Sequence, residues 1–158
     1  MHHNIYTWRN TKVTVMKKIV IKAIDKPSID KPDYMISWFC EAFGLSNTDD
    51  KNTIEAQLLK SFLIAAQKSD GISSSQIKLK GNIARTTIIY HMNRFIETGL
   101  VVKKGRKYYL RSNALSSAIE EIEYDIDREL QRMHDIAEIF DRKFSYHYSK
   151  KGKEVKID

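Results

Sequence analysis

Cysteine is nearly absent from this 158-residue chain: Cys40 stands alone. An internal disulfide is therefore excluded, and so is a metal site built from several protein thiolates. Proline and glycine are also scarce, at two and six residues, as in a helix-leaning globular chain and unlike a collagen-like or disordered one. No apolar run approaches the ~18 residues that a membrane-spanning helix needs. Met1-His2-His3-Asn4 lacks the basic-then-apolar order of a secretory signal. A cytoplasmic protein with no membrane partner is expected. Catalytic signatures are missing as well: there is no Walker loop, no G-x-G-x-x-G, no H-E-x-x-H and no cysteine pair, so no enzyme is expected. The length suits one compact domain and not two full-sized ones.

Acidic charge is almost absent from one stretch. The chain as a whole carries +7, but residues 71–111 hold nine basic side chains and one acidic, a local +8. Residues 1–70 carry +2, residues 112–144 carry −5 and residues 145–158 carry +2. A cation excess confined to some forty residues beside an acidic segment points to a polyanionic partner more strongly than the same charge spread over a surface.

Residues 12–24 place Val13 and Val15, then Ile19, Ile21 and Ala23, at alternate positions, with a register shift across Met16-Lys17-Lys18. They read as one bulged strand or two short ones. Residues 25–32 contain both prolines and form a connection. Tyr34, Met35, Trp38, Phe39, Ala42 and Phe43 then recur at helical spacing, with Gly44 as the stop. This strand-helix extension, residues 1–45, is too small for its own core and should dock on the remainder of the chain. Its aromatic stripe reads as core or interface, with a ligand cage as the alternative.

After a polar loop, Asn52 and Glu55 have capping-box spacing, and Ile54, Leu58, Leu59, Phe62 and Ala66 mark the inner face of a helix ending near Asp70-Gly71. Ser73 and Gln76 repeat the capping pattern before a short helix opened by Ile77 and closed by Gly81. A third helix spans about residues 84–98, with Ala84, Ile88, Met92 and Phe95 inward and Gly99 at its C-cap. Three helices with a tight turn before the last predict a helix-turn-helix. Leu100-Val101-Val102 and Tyr108-Tyr109-Leu110 then read as strands, with residues 103–107 as a hairpin tip, that is, a wing.

Residues 84–102, ARTTIIYHMNRFIETGLVV, followed by the basic hairpin KKGRKYYLR, resemble the winged helix-turn-helix of ArsR-like transcriptional regulators. The resemblance is firm over about residues 52–111, loose over 112–144 and absent over residues 1–45. It implies a mainly α fold with a small β component, a DNA-binding domain over 52–111 and a dimerisation helix over 112–144. Where many such regulators carry a small polar residue two positions before the recognition-helix histidine, this chain has Ile89 before His91. His91 reads as a structural or phosphate-contacting side chain and not as a catalytic base.

Helical geometry independently places Thr86, Tyr90 and Asn93 opposite the core, with Thr87 and Arg94 beside them and Arg85 at the helix start. These are the groups expected to reach bases or phosphates. Lys103, Lys104, Arg106 and Lys107 surround the hairpin glycine and are expected to follow a phosphate backbone or enter a minor groove; a solvated, aggregation-resistant edge is the alternative.

Beyond the hairpin, Ser112 or Asn113 can cap a long helix. Leu115, Ile119, Ile122, Ile126, Leu130, Met133, Ala137, Phe140 and Phe144 recur along it at spacings of three and four, a near-heptad seam that fits a homodimer interface. A helix folded back over Trp38 and Phe43 is the competing reading. Its outer face is acidic, with Glu120, Glu121, Glu123 and Asp127, and residues 145–158 read as a basic tail. A metal set on this helix would draw on Asp125, Asp127, His134 and Glu138. Only the last two share a face, so neither a metal nor another effector or cofactor is expected. The leading expectation is a homodimeric, sequence-specific regulator that binds double-stranded DNA. The rivals are a winged helix that binds structured RNA and a protein-interaction adaptor.

Overall fold

Pro32 can open a helix because its missing N–H costs nothing in the first turn. It does so in α1 (Pro32–Ala42), which ends at Gly44 with φ +69° and a Leu45 N–H to Cys40 carbonyl bond of 2.8 Å. The computed structural model describes residues 18–48 and 50–149. The α1 side chains that lose most solvent are Ser37 and Cys40, whereas Trp38 and Phe39 are only half-buried. Of the expected stripe Phe43, just past the helix, is buried, while Tyr34, Trp38 and Phe39 flank the buried line. Trp38 instead donates its indole N–H to the Asp25 carbonyl at 2.7 Å, holding the connection against the helix.

The strand expected over residues 12–24 is not found over its described part. Residues 18–24 have no ladder, and their backbone tie to α1 is the Lys22 N–H to Ala42 carbonyl bond of 2.7 Å. Alternation gives a strand only where a second strand offers a row of partners, and Ile21, expected on the buried face, is 66% exposed. Residues 12–17 lie outside the described residues.

Helix α2 (Ile54–Gln67) is capped by Thr53, whose Oγ1 accepts from Ala56 N at 3.1 Å, and not by Asn52. Its inner line of Leu58, Leu59, Phe62 and Ala66 falls where the periodicity puts it, with Ala56 added and Ile54 half-buried. Two residues, Ile72–Ser73, form strand β1. The Ser73–Gln76 capping box then forms as expected, but it opens a single 3-10 turn over Ser74–Gln76 and residues 77–81 are not helical. The expected second helix is therefore reduced to one turn.

Helix α3 (Arg85–Thr98) ends on Gly99 at φ +84°. Strands β2 (Val101–Lys104) and β3 (Lys107–Leu110) come next, joined by Gly105-Arg106 with Gly105 at φ +63°. Glycine at the first central position suits a two-residue hairpin whose twist matches its strands. The sheet is antiparallel in the order β1-β3-β2, with Ile72 opposite Tyr108 and Val101 opposite Leu110. Gly71 leads into β1 so close to β3 that a Cβ there would lie 2.8 Å from the Tyr108 carbonyl oxygen and 2.7 Å from the Tyr109 ring. Close approach, and not turn conformation, is what requires this glycine.

The core lies where α2, α3 and the sheet meet. Phe62 and Phe95 are 1% and 0% exposed and pack edge to face at 5.4 Å, with Leu58, Leu59, Met92, Leu100 and Val101 around them. Helix α1 packs on α2, so the extension docks on the helical core through this helix. Mainly helical structure with one small antiparallel sheet is the architecture of the described chain.

The chain divides into two compact units between Glu121 and Ile122. In the first, Arg111 Nε lies 3.1 Å from Glu121 Oε2, both side chains 11% exposed, so Glu121 is an interior partner and does not belong to the acidic outer face. In the second, helix α4 (Leu115–Ser149) continues past the expected end at residue 144, so residues 145–149 are helical and not tail. Residues 150–158 lie outside the described residues. From Ile122 to Ser149 the helix extends about 42 Å at 1.5 Å per residue. Among the described residues no helix is long and apolar enough to cross a membrane.

Candidate nucleic-acid interface

The outward side of α3 is set by what its inward side must bury. Ile88, Met92, Phe95 and Ile96 face the core, and the 3.6-residue period then sends Thr86, Tyr90 and Asn93 into solvent. All three are exposed, Tyr90 to 62%, while Thr87 is half-buried beside them. Tyr90 meets the His91 ring edge to face at 5.1 Å, which limits where its phenol can swing. Arg85, at the exposed first turn, donates its Nε to Ser74 Oγ at 3.3 Å and so ties α3 to the 3-10 turn.

Arg94 does not join this set. Its guanidinium turns toward α2 and α1, with one nitrogen 3.3 Å from Glu55 Oε1 and another 3.3 Å from the Gly44 carbonyl. His91 Nδ1 lies 3.1 Å from the same Glu55 oxygen. Glu55 is only 13% exposed at its side chain, with the Arg94 guanidinium and the His91 ring beside one of its oxygens. That geometry lets Arg94 and His91 hold α3 against α2. Arg94, expected beside the groove-facing residues, is thus half-buried and paired with Glu55, and His91 lies against the same carboxylate.

The hairpin separates its cations by function. Lys103 Nζ sits 5.2 Å from the centroid of the Tyr108 ring, and Lys107 Nζ is 3.0 Å from Asp70 Oδ1. The Lys107 hydrogen bond, and after it the Gly71 N–H, holds the Asp70 carboxyl below its ordinary range, and the Lys107 ammonium is correspondingly raised by Asp70. Asp70 takes one of the three Lys107 ammonium protons and offsets its charge toward a phosphate. Lys103, Lys104 and Arg106 are exposed around the turn. Helix α3 packs on β2, so its outward face and the basic hairpin belong to one rigid part of the first unit.

The seam of α4 has two regimes. Leu115, Ile119 and Ile126 are half-buried and Ile122 is buried, with Ala118, which the spacing did not single out, buried as well. Leu130, Met133 and Phe140 are 55%, 68% and 59% exposed, and Ala137 is exposed with them. Ile136 and Ile139 widen this apolar face beyond the expected line. Of the carboxylates weighed as metal ligands, Asp125 is taken by Arg128 at 2.8 Å. His134, Asp135 and Glu138 cluster, but all three are exposed.

Glu55, Asp70 and Ser74 are the site residues missed by sequence reading. Glu55 carried a signal, its spacing from Asn52, but that signal named a different partner. Asp70 and Ser74 carried none, because their partners are distant in sequence. Comparison of this chain with protein-family models, curated proteins and solved structures gives no match.

Proposed function

We propose that this protein is a transcriptional regulator that binds double-stranded DNA as a homodimer, in the manner of a winged helix-turn-helix. The observation that carries the reading is the confinement of a +8 charge to residues 71–111, which fold into an exposed polar helix face and a basic hairpin on one scaffold. Thr86, Tyr90 and Asn93, with Thr87 and Arg85 at their side, are the groups for base edges in a major groove. Lys103, Lys104, Arg106 and Lys107 supply sequence-independent attraction to phosphates. The exposed apolar face at Leu130, Met133, Ala137 and Phe140 is covered by a second copy. The bound site is then a pseudo-palindrome with half-sites about one helical turn apart. A cytoplasmic location belongs to the same reading.

Competition at about 0.15 M salt tests it, with labelled random duplex displaced by unlabelled duplex, an RNA hairpin or single strands. Duplex DNA should compete best. A hairpin RNA that displaces duplex more effectively than duplex itself overturns the DNA assignment, and no binding to any of the three overturns nucleic-acid recognition.

A further inference from the structure

A second cationic feature lies away from both the outward face of α3 and the hairpin. A cleft of about 290 Å³ is formed between α1, α2 and the connection leading into α3. Four lysines line it: Lys51 before α2, Lys60 within α2, and Lys78 and Lys80 after the 3-10 turn. Its acidic residue is Asp33 of α1, bonded to Lys60 at 3.0 Å. The Asp33 carboxyl is held below its ordinary range first by Lys60, with Lys51 and Lys80 adding to the effect. Three ammonium groups from three chain segments thus act on one carboxylate. The segments are themselves fixed: Lys80 donates its backbone N–H to Gln57 Oε1 at 2.8 Å, and its Nζ to Asn52 Oδ1 at 3.3 Å.

Four cations against one carboxylate leave the cleft short of negative charge. Its volume equals that of roughly ten waters at ~30 Å³ each, room for a phosphate or diphosphate group with water beside it and too small for an entire dinucleotide. Ammonium groups on flexible stems suit phosphate as point charges without requiring the planar fork of arginine. We propose that this cleft is a phosphate-binding site, filled by a free phosphorylated anion or by a DNA backbone phosphate reached from outside the α3 face.

Isothermal titration of the full chain with pyrophosphate tests the site without DNA, so it is independent of the regulator reading. Saturable binding should weaken by roughly fivefold for each of Lys51→Gln, Lys78→Gln and Lys80→Gln, the factor that one unit charge at about 4 Å gives in water. Asp33→Asn should tighten it, because a competing carboxylate is removed. These side chains are exposed or half-exposed, and unchanged far-ultraviolet circular dichroism checks that the variants fold. A variant with Lys103, Lys104, Arg106 and Lys107 all changed to alanine should bind pyrophosphate as the wild type does. If pyrophosphate gives no heat but the triple lysine variant flattens the salt dependence of duplex binding, the phosphate comes from DNA and the site stands. Equal pyrophosphate binding by wild type and triple variant overturns the proposal. So does weaker binding in Asp33→Asn, or the absence of pyrophosphate binding together with an unchanged salt slope.

Discussion

Replacing Lys103, Lys104, Arg106 and Lys107 together by alanine removes the whole basic rim of the hairpin while sparing its buried residues, Tyr108 and Leu110. Gly105 keeps the turn, since its positive φ and not a side-chain contact defines it. If all four cations meet phosphates, the slope of log affinity against log salt becomes shallower by up to about 3.6, at ~0.9 per contact. Between 50 and 200 mM salt the ratio of wild-type to variant affinity then changes by as much as about 150-fold. Lys107 is the cation whose share is reduced, because the Asp70 carboxylate 3.0 Å away already offsets its charge. Asp70→Asn releases it, so that variant should bind duplex more tightly than the wild type and with a steeper slope. Fluorescence anisotropy with a labelled duplex over four salt concentrations reads both effects. Parallel lines for wild type and quadruple variant would remove the hairpin from the mechanism, whatever the absolute affinities.

Thr86→Ala, Tyr90→Ala and Asn93→Ala should shift the sequence preference found by selection from a random duplex pool, with ~1–3 kcal/mol of discrimination lost at the affected base; uniform loss across all sequences would show that α3 does not read bases. Cys40 is fully buried, and desolvation first, with the Glu55 charge second, pushes its thiol up to about 12. The folded chain therefore holds this proton more tightly than the unfolded one, so the group's stabilisation is complete below pH ~9 and is lost toward pH 12 at up to ~1.4 kcal/mol per pH unit. Urea melts of Cys40→Ala should show a shallower alkaline loss than the wild type, and identical slopes would refute the assignment. Phe95→Ala should cost about 3–5 kcal/mol, measured by denaturant unfolding, since the ring is wholly enclosed and packs on Phe62. Leu130→Asp with Met133→Asp should convert a dimer into an 18.4 kDa monomer by light scattering without loss of helicity, because both side chains are already exposed in a single chain; a wild type that is itself monomeric refutes the seam as a dimer interface.

What was legible in the sequence had dense, local periodicity. The inner faces of α2 and α3 repeat over fourteen residues each and stop at turn residues, so pattern and packing agree except at Ala84, expected inward but exposed at the N-cap of α3. The hairpin was legible because a basic, glycine-centred tip separates two short apolar runs. Strand β1 was not, since two residues have no period to detect and its partner lies more than thirty positions later, Ile72 opposite Tyr108. The opposite failure occurred at residues 19–23, where alternation was present and the ladder was not. Pairing is a property of two segments, and one segment cannot announce it. The helix expected after Ile77 failed for a related reason. Its capping box formed, but Lys80 N–H went to the Gln57 side chain at 2.8 Å instead of an intrahelical carbonyl, and Gly81 at φ +93° came next.

The candidate site divides along the same line. Outward residues are set by the helical period alone, so Thr86, Tyr90 and Asn93 needed no knowledge of tertiary structure. Arg94 did, because its exposure depends on whether a carboxylate waits on a neighbouring helix. Glu55 supplies that carboxylate from the first turn of α2, and the Gly44 carbonyl, released by the end of α1, takes the other arm of the guanidinium. A buried carboxylate is costly unless its charge is met, so Glu55 draws both His91 and Arg94 inward from one side of α3. The solvent side is left with the Thr86 hydroxyl, the Asn93 amide and the Tyr90 phenol. The Glu55 carboxylate and the Gly44 carbonyl together therefore hold the rotation of α3, and that rotation decides which of its side chains face solvent.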